Sequence, residues 1–253
     1  MSVTIDFAGQ TVVVTGGTRG IGAAIGAAFE DAGAGRVILT GAREEAIDEL
    51  NSRRRTGDRA GIEYVRADFD DAASTRAFLD MLRGLDRIDV CVNNAGVNRI
   101  LPIENVTEAD YDWLSRINLR APLLVCGAIA PRMKERGYGR IVNIASIWAT
   151  ITKPGRAMYT ATKFGLVGLT KTVAVELAEH GILVNAVSPG FTLTELTRST
   201  LSDAEIETLA RQVPVRRFAT PDEIAKVVLF LASGQNTYLT GQNITVDGGF
   251  VSI

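Results

Sequence analysis

The strongest constraint on the fold is a repeated alternation: a short run rich in β-branched residues, a turn, then a longer amphipathic stretch with apolar residues at a spacing of about 3.6. Some of the short runs are apolar almost throughout, as in Thr11, Val12, Val13, Val14 and Thr15. That composition suits strands covered on both faces, as in a parallel sheet whose crossovers lay helices on either side. The pattern predicts strands at 11–15, 36–40, 62–67, 88–93, 139–145, 183–188 and 243–246, with helices at 21–32, 44–55, 72–83, 108–136, 157–180 and 221–232. Helix signals agree: Thr220 precedes Pro221 with Glu223 three residues on, an N-cap, a first-turn proline and a capping-box acid. Gly33 and Gly181 stand where helices stop. Right-handed crossovers then give an α/β protein with a doubly wound, mostly parallel, seven-stranded sheet, its ligand site beyond the C-terminal strand ends.

The 253 residues fit one such unit spanning 1–253, since nothing rich in Pro or Gly divides the chain. Apolar residues make up 46% and charged residues 22%, with a net charge of −2, so electrostatics gives no reason to expect nucleic acid or an anionic membrane as partner. Arg53, Arg54 and Arg55 read as a solvated helix end. Cys91 and Cys126 lie in apolar surroundings without metal-like spacing and read as reduced core residues. No metal site is expected, because His, Cys and carboxylates do not cluster, and the lone His180 reads as a helix-end cap. The first ten residues lack a signal-peptide pattern and no stretch approaches a membrane span, so a cytoplasmic location is expected.

Thr15-Gly16-Gly17-Thr18-Arg19-Gly20-Ile21-Gly22 follows the first predicted strand and opens the first helix. Glycines there allow a tight turn and close approach of phosphates, and a helix N-terminus offers free N–H groups and a positive dipole end to a pyrophosphate. A dinucleotide is therefore the expected ligand. The spacing is Gly-x-x-x-Gly-x-Gly, and Asp68, Asn93-Asn94-Ala95-Gly96, Asn118, Ser146, Tyr159-x-x-x-Lys163 and Pro189-Gly190 follow in order.

Together these residues make the chain resemble the short-chain dehydrogenase/reductase family, in its classical subgroup of Rossmann-fold enzymes, from about Ala8 to the C-terminus. Within it the chain is similar to carbonyl reductases of the 3-oxoacyl-acyl-carrier-protein and tropinone reductase kinds. The resemblance implies an oxidoreductase moving a hydride between a nicotinamide and a carbonyl or secondary alcohol. It implies contacts to the cofactor from Gly16, Thr18, Arg19, Gly20, Ile21 and Gly22, from Asn94, Ala95 and Gly96, and from Pro189, Gly190 and Thr192. It implies that Asp68, with Phe69 beside it, meets the adenine; the other reading of Asp68 is an N-cap, which Asp70 or Asp71 could supply. Asn93 is read as structural.

An acid at the end of the second strand would bind the adenosine ribose 2′-OH and repel a 2′-phosphate. Here that segment is Leu39-Thr40-Gly41-Ala42-Arg43, without an acid. Arg19 and Arg43 could reach a phosphate, so NADP(H) is expected over NAD(H); the other reading of Arg43 is that it only caps and solvates the next helix.

Reduction of a carbonyl needs a proton for the developing alkoxide, and a phenol can supply it if a cation tunes its pKa. Tyr159 and Lys163, four apart on one predicted helix, share a face. By resemblance Lys163 also holds the nicotinamide ribose, and both residues touch the cofactor. Ser146 ends the fifth strand thirteen residues before Tyr159, placed to donate to the substrate oxygen. Asn118 lies inside a predicted helix, where asparagine is a poor former; the resemblance implies that it bends the helix and frees a carbonyl for a water linked to Lys163.

The stretch 191–212 reads as a substrate lid. Ser146, Tyr159, Trp148 and Leu196 are the pocket residues expected, with Ile151, Asn98 and Leu201 as further walls, each equally able to be core or interface packing. The absence of a basic cluster near the lid argues for a free small carbonyl compound rather than a carrier-bound one. The family's last strand and tail often form subunit contacts, so a homotetramer or a homodimer is expected. The alternatives are an NAD-dependent alcohol or sugar dehydrogenase and a non-catalytic dinucleotide-binding module.

Overall fold

The computed structural model describes residues 5–54 and 61–252. Seven strands, β1 (Thr11–Val14), β2 (Arg36–Gly41), β3 (Ile62–Arg66), β4 (Val90–Asn93), β5 (Gly139–Ile144), β6 (Ile182–Pro189) and β7 (Asn243–Val246), form one sheet in the order β3-β2-β1-β4-β5-β6-β7. Every pairing is parallel, so the sheet is wholly rather than mostly parallel. Nine α-helices cross between the strands among the described residues: α1 (Gly20–Asp31), α2 (Glu44–Arg54), α3 (Ala72–Gly84), α4 (Glu108–Ser115), α5 (Ala121–Arg136), α6 (Ala157–Leu177), α7 (Glu195–Thr200), α8 (Asp203–Ala210) and α9 (Pro221–Ala232).

Strand side chains alternate between two cores. Val12, Val14, Val37 and Leu39 pack with Ile25 and Phe29 of α1 and Ile224 and Val228 of α9. Val13, Ile38, Cys91 and Ile141 face the other way, onto Phe78 and Leu82 of α3, Val125 and Ile129 of α5 and Leu177 of α6. The central strands are therefore apolar on both faces, which is the physical origin of the uninterrupted runs. Both cysteines are buried and unpaired within this core.

The chain reverses direction across the sheet between β1 and β4, and the crevice opened there is where ligands of doubly wound folds bind. The predicted helix at 108–136 is broken into α4, a π-helical turn at Arg116–Arg120 and α5. The predicted helix at 157–180 ends as α6 at Leu177 and tightens into a 3₁₀ turn to His180, which Gly181 stops at φ 74°. The capping box at Thr220 and Glu223 is formed as read, with the Glu223 carboxylate accepting from the Thr220 N–H at 2.8 Å. Arg55, the end of the second predicted helix and of the arginine triplet, lies outside the described residues.

Candidate active site

The turn from β1 into α1 is shaped by glycine where side chains cannot fit. Gly16 and Gly20 have φ of 66° and 56°, and a Cβ on Gly22 would lie 2.2 Å from the Gly16 carbonyl oxygen. Asn94, after β4, holds this turn: its Nδ2 donates to the carbonyls of Thr15 at 3.0 Å and Gly16 at 2.9 Å. Thr15 returns the link, its hydroxyl oxygen accepting from the Asn94 and Ala95 N–H groups, each at 3.0 Å. The Asn94 amide nitrogen is thus taken up by the protein, so the side chain read as a cofactor contact shapes the cradle. Asn93 is structural as read, donating to Asn143 Oδ1 at 2.8 Å.

No side chain caps α1 at Arg19 and no acid stands in its first turn. Helices α3, α4, α7, α8 and α9 are each capped by Asp71, Thr107, Thr194, Ser202 or Thr220. An uncapped helix start beneath a glycine turn leaves its N–H groups and positive dipole end for an anion, so the residues present fit a pyrophosphate.

Ser146 lies two residues past the end of β5, and Tyr159 and Lys163 sit one turn apart at the start of α6. The Ser146 hydroxyl oxygen accepts from the Trp148 N–H at 3.3 Å. Burial holds the Tyr159 phenol above its ordinary pKa, against the downward pull of the Ser146 hydroxyl and of the Arg156 charge. Arg156 is thus a second cation acting on the phenol, beside the Lys163 read from spacing. Lys163 Nζ lies 5.6 Å from the centre of the Tyr159 ring and donates to the Ile144 carbonyl at 2.8 Å, and burial brings its pKa down to about 8.

Asn118 occupies the π-helical turn, where the Ala121 N–H reaches back to the Arg116 carbonyl. Single π turns of this kind are often found at functional sites. Its amide clamps the loop after β4 in both directions, donating to the Val97 carbonyl at 2.9 Å and accepting from the Val97 N–H at 2.8 Å. It also donates to the Thr162 hydroxyl at 3.2 Å. A Cβ on Gly96 would stand 3.4 Å from Asn118 Oδ1 and 3.5 Å from Lys163 Nζ, so these three residues converge on one spot.

At the far end of the crevice, β2 runs out at Gly41, where a Cβ would lie 2.5 Å from Thr18. Arg43 and Arg19 are exposed there. A third guanidinium, Arg66, pairs in register with Gly41 and donates to the Ala42 carbonyl at 3.3 Å. Sequence reading missed it, though its place at the end of β3 beside β2 was available as a signal. Asp71 caps α3, accepting from Ala73 and Ser74, so Asp68 is free of that duty and accepts from the Asp70 N–H at 3.0 Å. The Phe69 ring is buried edge-on against Phe78 at 5.9 Å and belongs to the core.

A family profile described as Enoyl-(Acyl carrier protein) reductase matches residues 16–251. The chain is 39% identical to a D-threitol dehydrogenase from Mycolicibacterium smegmatis, over 99% of its own length and 96% of the relative's. The chain belongs to the short-chain dehydrogenase/reductase family. A 3-oxoacyl-(acyl-carrier-protein) reductase from Rickettsia bellii is 35% identical over 98% of this chain and 100% of that one. A solved gluconate 5-dehydrogenase from Burkholderia cenocepacia, in complex with NADP and tartrate, matches with a TM-score of 0.90 at 32% identity, over 99% of this chain and 98% of that one.

This short-chain dehydrogenase is accordingly an enzyme, an oxidoreductase of C–OH and C=O groups that uses a nicotinamide dinucleotide. Beyond β6, Gly190 is required by Asp247, whose Cβ would lie 2.7 Å from a Cβ on that glycine. Thr192 donates from its hydroxyl to the Gly190 carbonyl at 3.2 Å. Phe191 is stacked on Phe218 and edge-on to Phe250, each at 5.1 Å, which anchors the start of the stretch read as a lid. That stretch contains α7 and α8, and Thr194, at the cap of α7, is what a Cβ on Gly20 would meet first, at 3.5 Å. Leu196 is 58% exposed on α7, whereas Trp148 is only 8% exposed. Lys153 Nζ and Arg156 Cζ each lie 5.3 Å from the centre of the Trp148 ring. Neither cation was found by sequence reading, because the loop from 150 to 156 carries no periodic pattern. Among the described residues no group of His, Cys, Asp or Glu could hold a metal, and no helix is long and apolar enough to cross a membrane.

Proposed function

We propose that the chain reduces a small ketone with NADPH, with Tyr159 supplying the proton. The observation that carries this reading is the 2.8 Å hydrogen bond from Lys163 Nζ to the Ile144 carbonyl, which holds Tyr159, one turn before it on α6, against the end of β5 and its neighbour Ser146. A carbonyl oxygen entering between them meets two donors held by rigid elements, and charge developing on it is stabilised as it forms. A bound nicotinamide supplies the hydride. Lys163 holds a positive charge beneath Tyr159 below about pH 8, and Asn118 fixes the loop at Val97 and Gly96 against which the ribose would lie. The preference for NADPH is supported by Arg19, Arg43 and Arg66 around an acid-free end of β2, where guanidinium suits a 2′-phosphate.

A second reading, oxidation of a polyol or sugar acid, is favoured by likeness to the D-threitol dehydrogenase and the gluconate 5-dehydrogenase. The same residues serve it in reverse, with Tyr159 as base. Ketones, β-keto esters and keto sugars, assayed with NADPH and NADH by loss of nicotinamide absorbance, test the first reading. Turnover of none of them, with polyol oxidation instead, would overturn it. We also propose a homotetramer or homodimer, supported by apolar side chains left bare on α5 and α6, where Leu123, Phe164 and Val175 are 51%, 48% and 80% exposed. Analytical ultracentrifugation tests it, and a monomer at micromolar concentration would refute it.

A further inference from the structure

Lys153 and Arg156 both lie against the Trp148 ring, and among the described residues neither is paired with an acid. Two like charges so placed repel, and in proteins such pairs are ordinarily neutralised. Elsewhere on this chain arginines find carboxylates: Arg87 pairs with Asp89, Arg99 with Asp110, Arg116 with Asp70 and Arg217 with Glu223. Among the described residues neither Lys153 nor Arg156 joins an ion pair, and Arg156 Nε is buried with no acceptor. A buried donor left without an acceptor is unfavourable, so its persistence calls for a partner that arrives from outside. The Trp148 ring holds each cation by a cation–π contact instead of an ion pair. Helix α6 also begins at Arg156 with no capping side chain and no acid in its first turn, so its dipole adds positive potential to the same spot.

The location gives this unneutralised charge a meaning. Arg156 is three residues before Tyr159, and Trp148 is two residues after Ser146. Its charge acts on the phenol directly. An anion gripped by Arg156 therefore sits beside the oxygen held by Ser146 and Tyr159, within one small molecule.

We infer that Trp148, Lys153 and Arg156 form a subsite for the carboxylate of a small oxo or hydroxy acid, making an acid group next to the reacting carbonyl the mark of this enzyme's substrates. The inference rests on reading the cleft as the place where a carbonyl is reduced. A carboxylate presents two oxygens to the guanidinium fork, with Lys153 as a second, outer point charge.

Isothermal titration calorimetry of the full chain saturated with oxidised nucleotide separates binding from turnover, because a ketone cannot be reduced in that complex. The probes are 3-oxobutanoate and 4-oxopentanoate, each against its methyl ester, with dihydroxyacetone phosphate as the phosphate arm. Each acid is expected to bind at least about tenfold tighter than its ester, the worth of one charge-assisted hydrogen bond pair. In R156Q the ratio falls towards one, and in R156K most of it returns; circular dichroism melting checks that each variant is folded. An acid-to-ester ratio near one, binding of neither probe, or a ratio untouched by R156Q overturns the subsite. Tighter binding of the phosphate ester than of either acid overturns the carboxylate assignment. Ketone reduction with NADPH is measured separately, so charge preference without turnover would refute the reductase reading and leave the subsite standing.

Discussion

The Lys163 ammonium donates to the carbonyl of Ile144, the last residue of β5, at 2.8 Å, pinning the start of α6 to the strand end that carries Ser146. Burial lowers its pKa to about 8, whereas in the unfolded chain it returns to about 10.4. Between these values the unfolded state binds more protons, so the stability contributed at this position rises with pH through that window. The buried ammonium is thus most costly near neutrality. In Lys163→Met the gain is absent: between pH 7 and 9.5 the wild type should gain about 1–3 kcal/mol of unfolding free energy relative to the variant, by urea titration. Parallel stability curves for the two proteins would refute a depressed Lys163.

Tyr159→Phe removes the hydroxyl that Ser146 acts on and leaves the ring in place. General acid–base groups contribute about 10² to 10⁴ in rate. We expect kcat to fall by at least about a hundredfold, while nucleotide affinity, measured by quenching of tryptophan fluorescence, stays within about threefold. Ser146→Ala should behave alike with a smaller loss in kcat. Retained turnover in the phenylalanine variant would remove Tyr159 from the chemistry.

How much of this was legible beforehand depends on whether a residue's neighbours were close in sequence. The strands were legible because Val12, Val13 and Val14 must be apolar on two faces at once, and the Thr220 box because a cap and its partner are three residues apart. The Tyr159 and Lys163 spacing was legible for the same reason, as one helical turn. The particular partners of Asn94 were not, since Thr15 and Gly16 are 79 and 78 residues away and only the sheet brings them together. Arg66 became visible only through its register with Gly41. Arg156 was hidden differently: it lies near Tyr159 in sequence, but its significance depends on the Trp148 ring and on the absence of a carboxylate, neither of which a motif encodes.

Arg43→Asp introduces the acid that the end of β2 lacks. It should accept hydrogen bonds from a ribose 2′-OH and repel a 2′-phosphate, raising KM for NADPH by at least about tenfold while KM for NADH changes little. Arg66→Gln should weaken NADPH binding less, because that side chain already donates to the Ala42 carbonyl. An unchanged ratio of the two Michaelis constants in Arg43→Asp would leave the phosphate preference without a cause.

Arg156 and Tyr159 are coupled through charge, and the sign of that coupling can be read in the direction of alcohol oxidation, where Tyr159 must act as base. Burial holds the phenol up; the Ser146 hydroxyl and the Arg156 cation draw it down. Arg156→Gln takes away one of the two downward influences and leaves Lys163 in place. The rising limb of kcat against pH, followed with a neutral secondary alcohol so that substrate charge plays no part, should therefore move to higher pH. High salt should shrink the difference between variant and wild type only slightly, since a charge beside a buried phenol is poorly screened. A limb that stays fixed, or moves to lower pH, would mean that the Arg156 charge does not reach the phenol when substrate is bound.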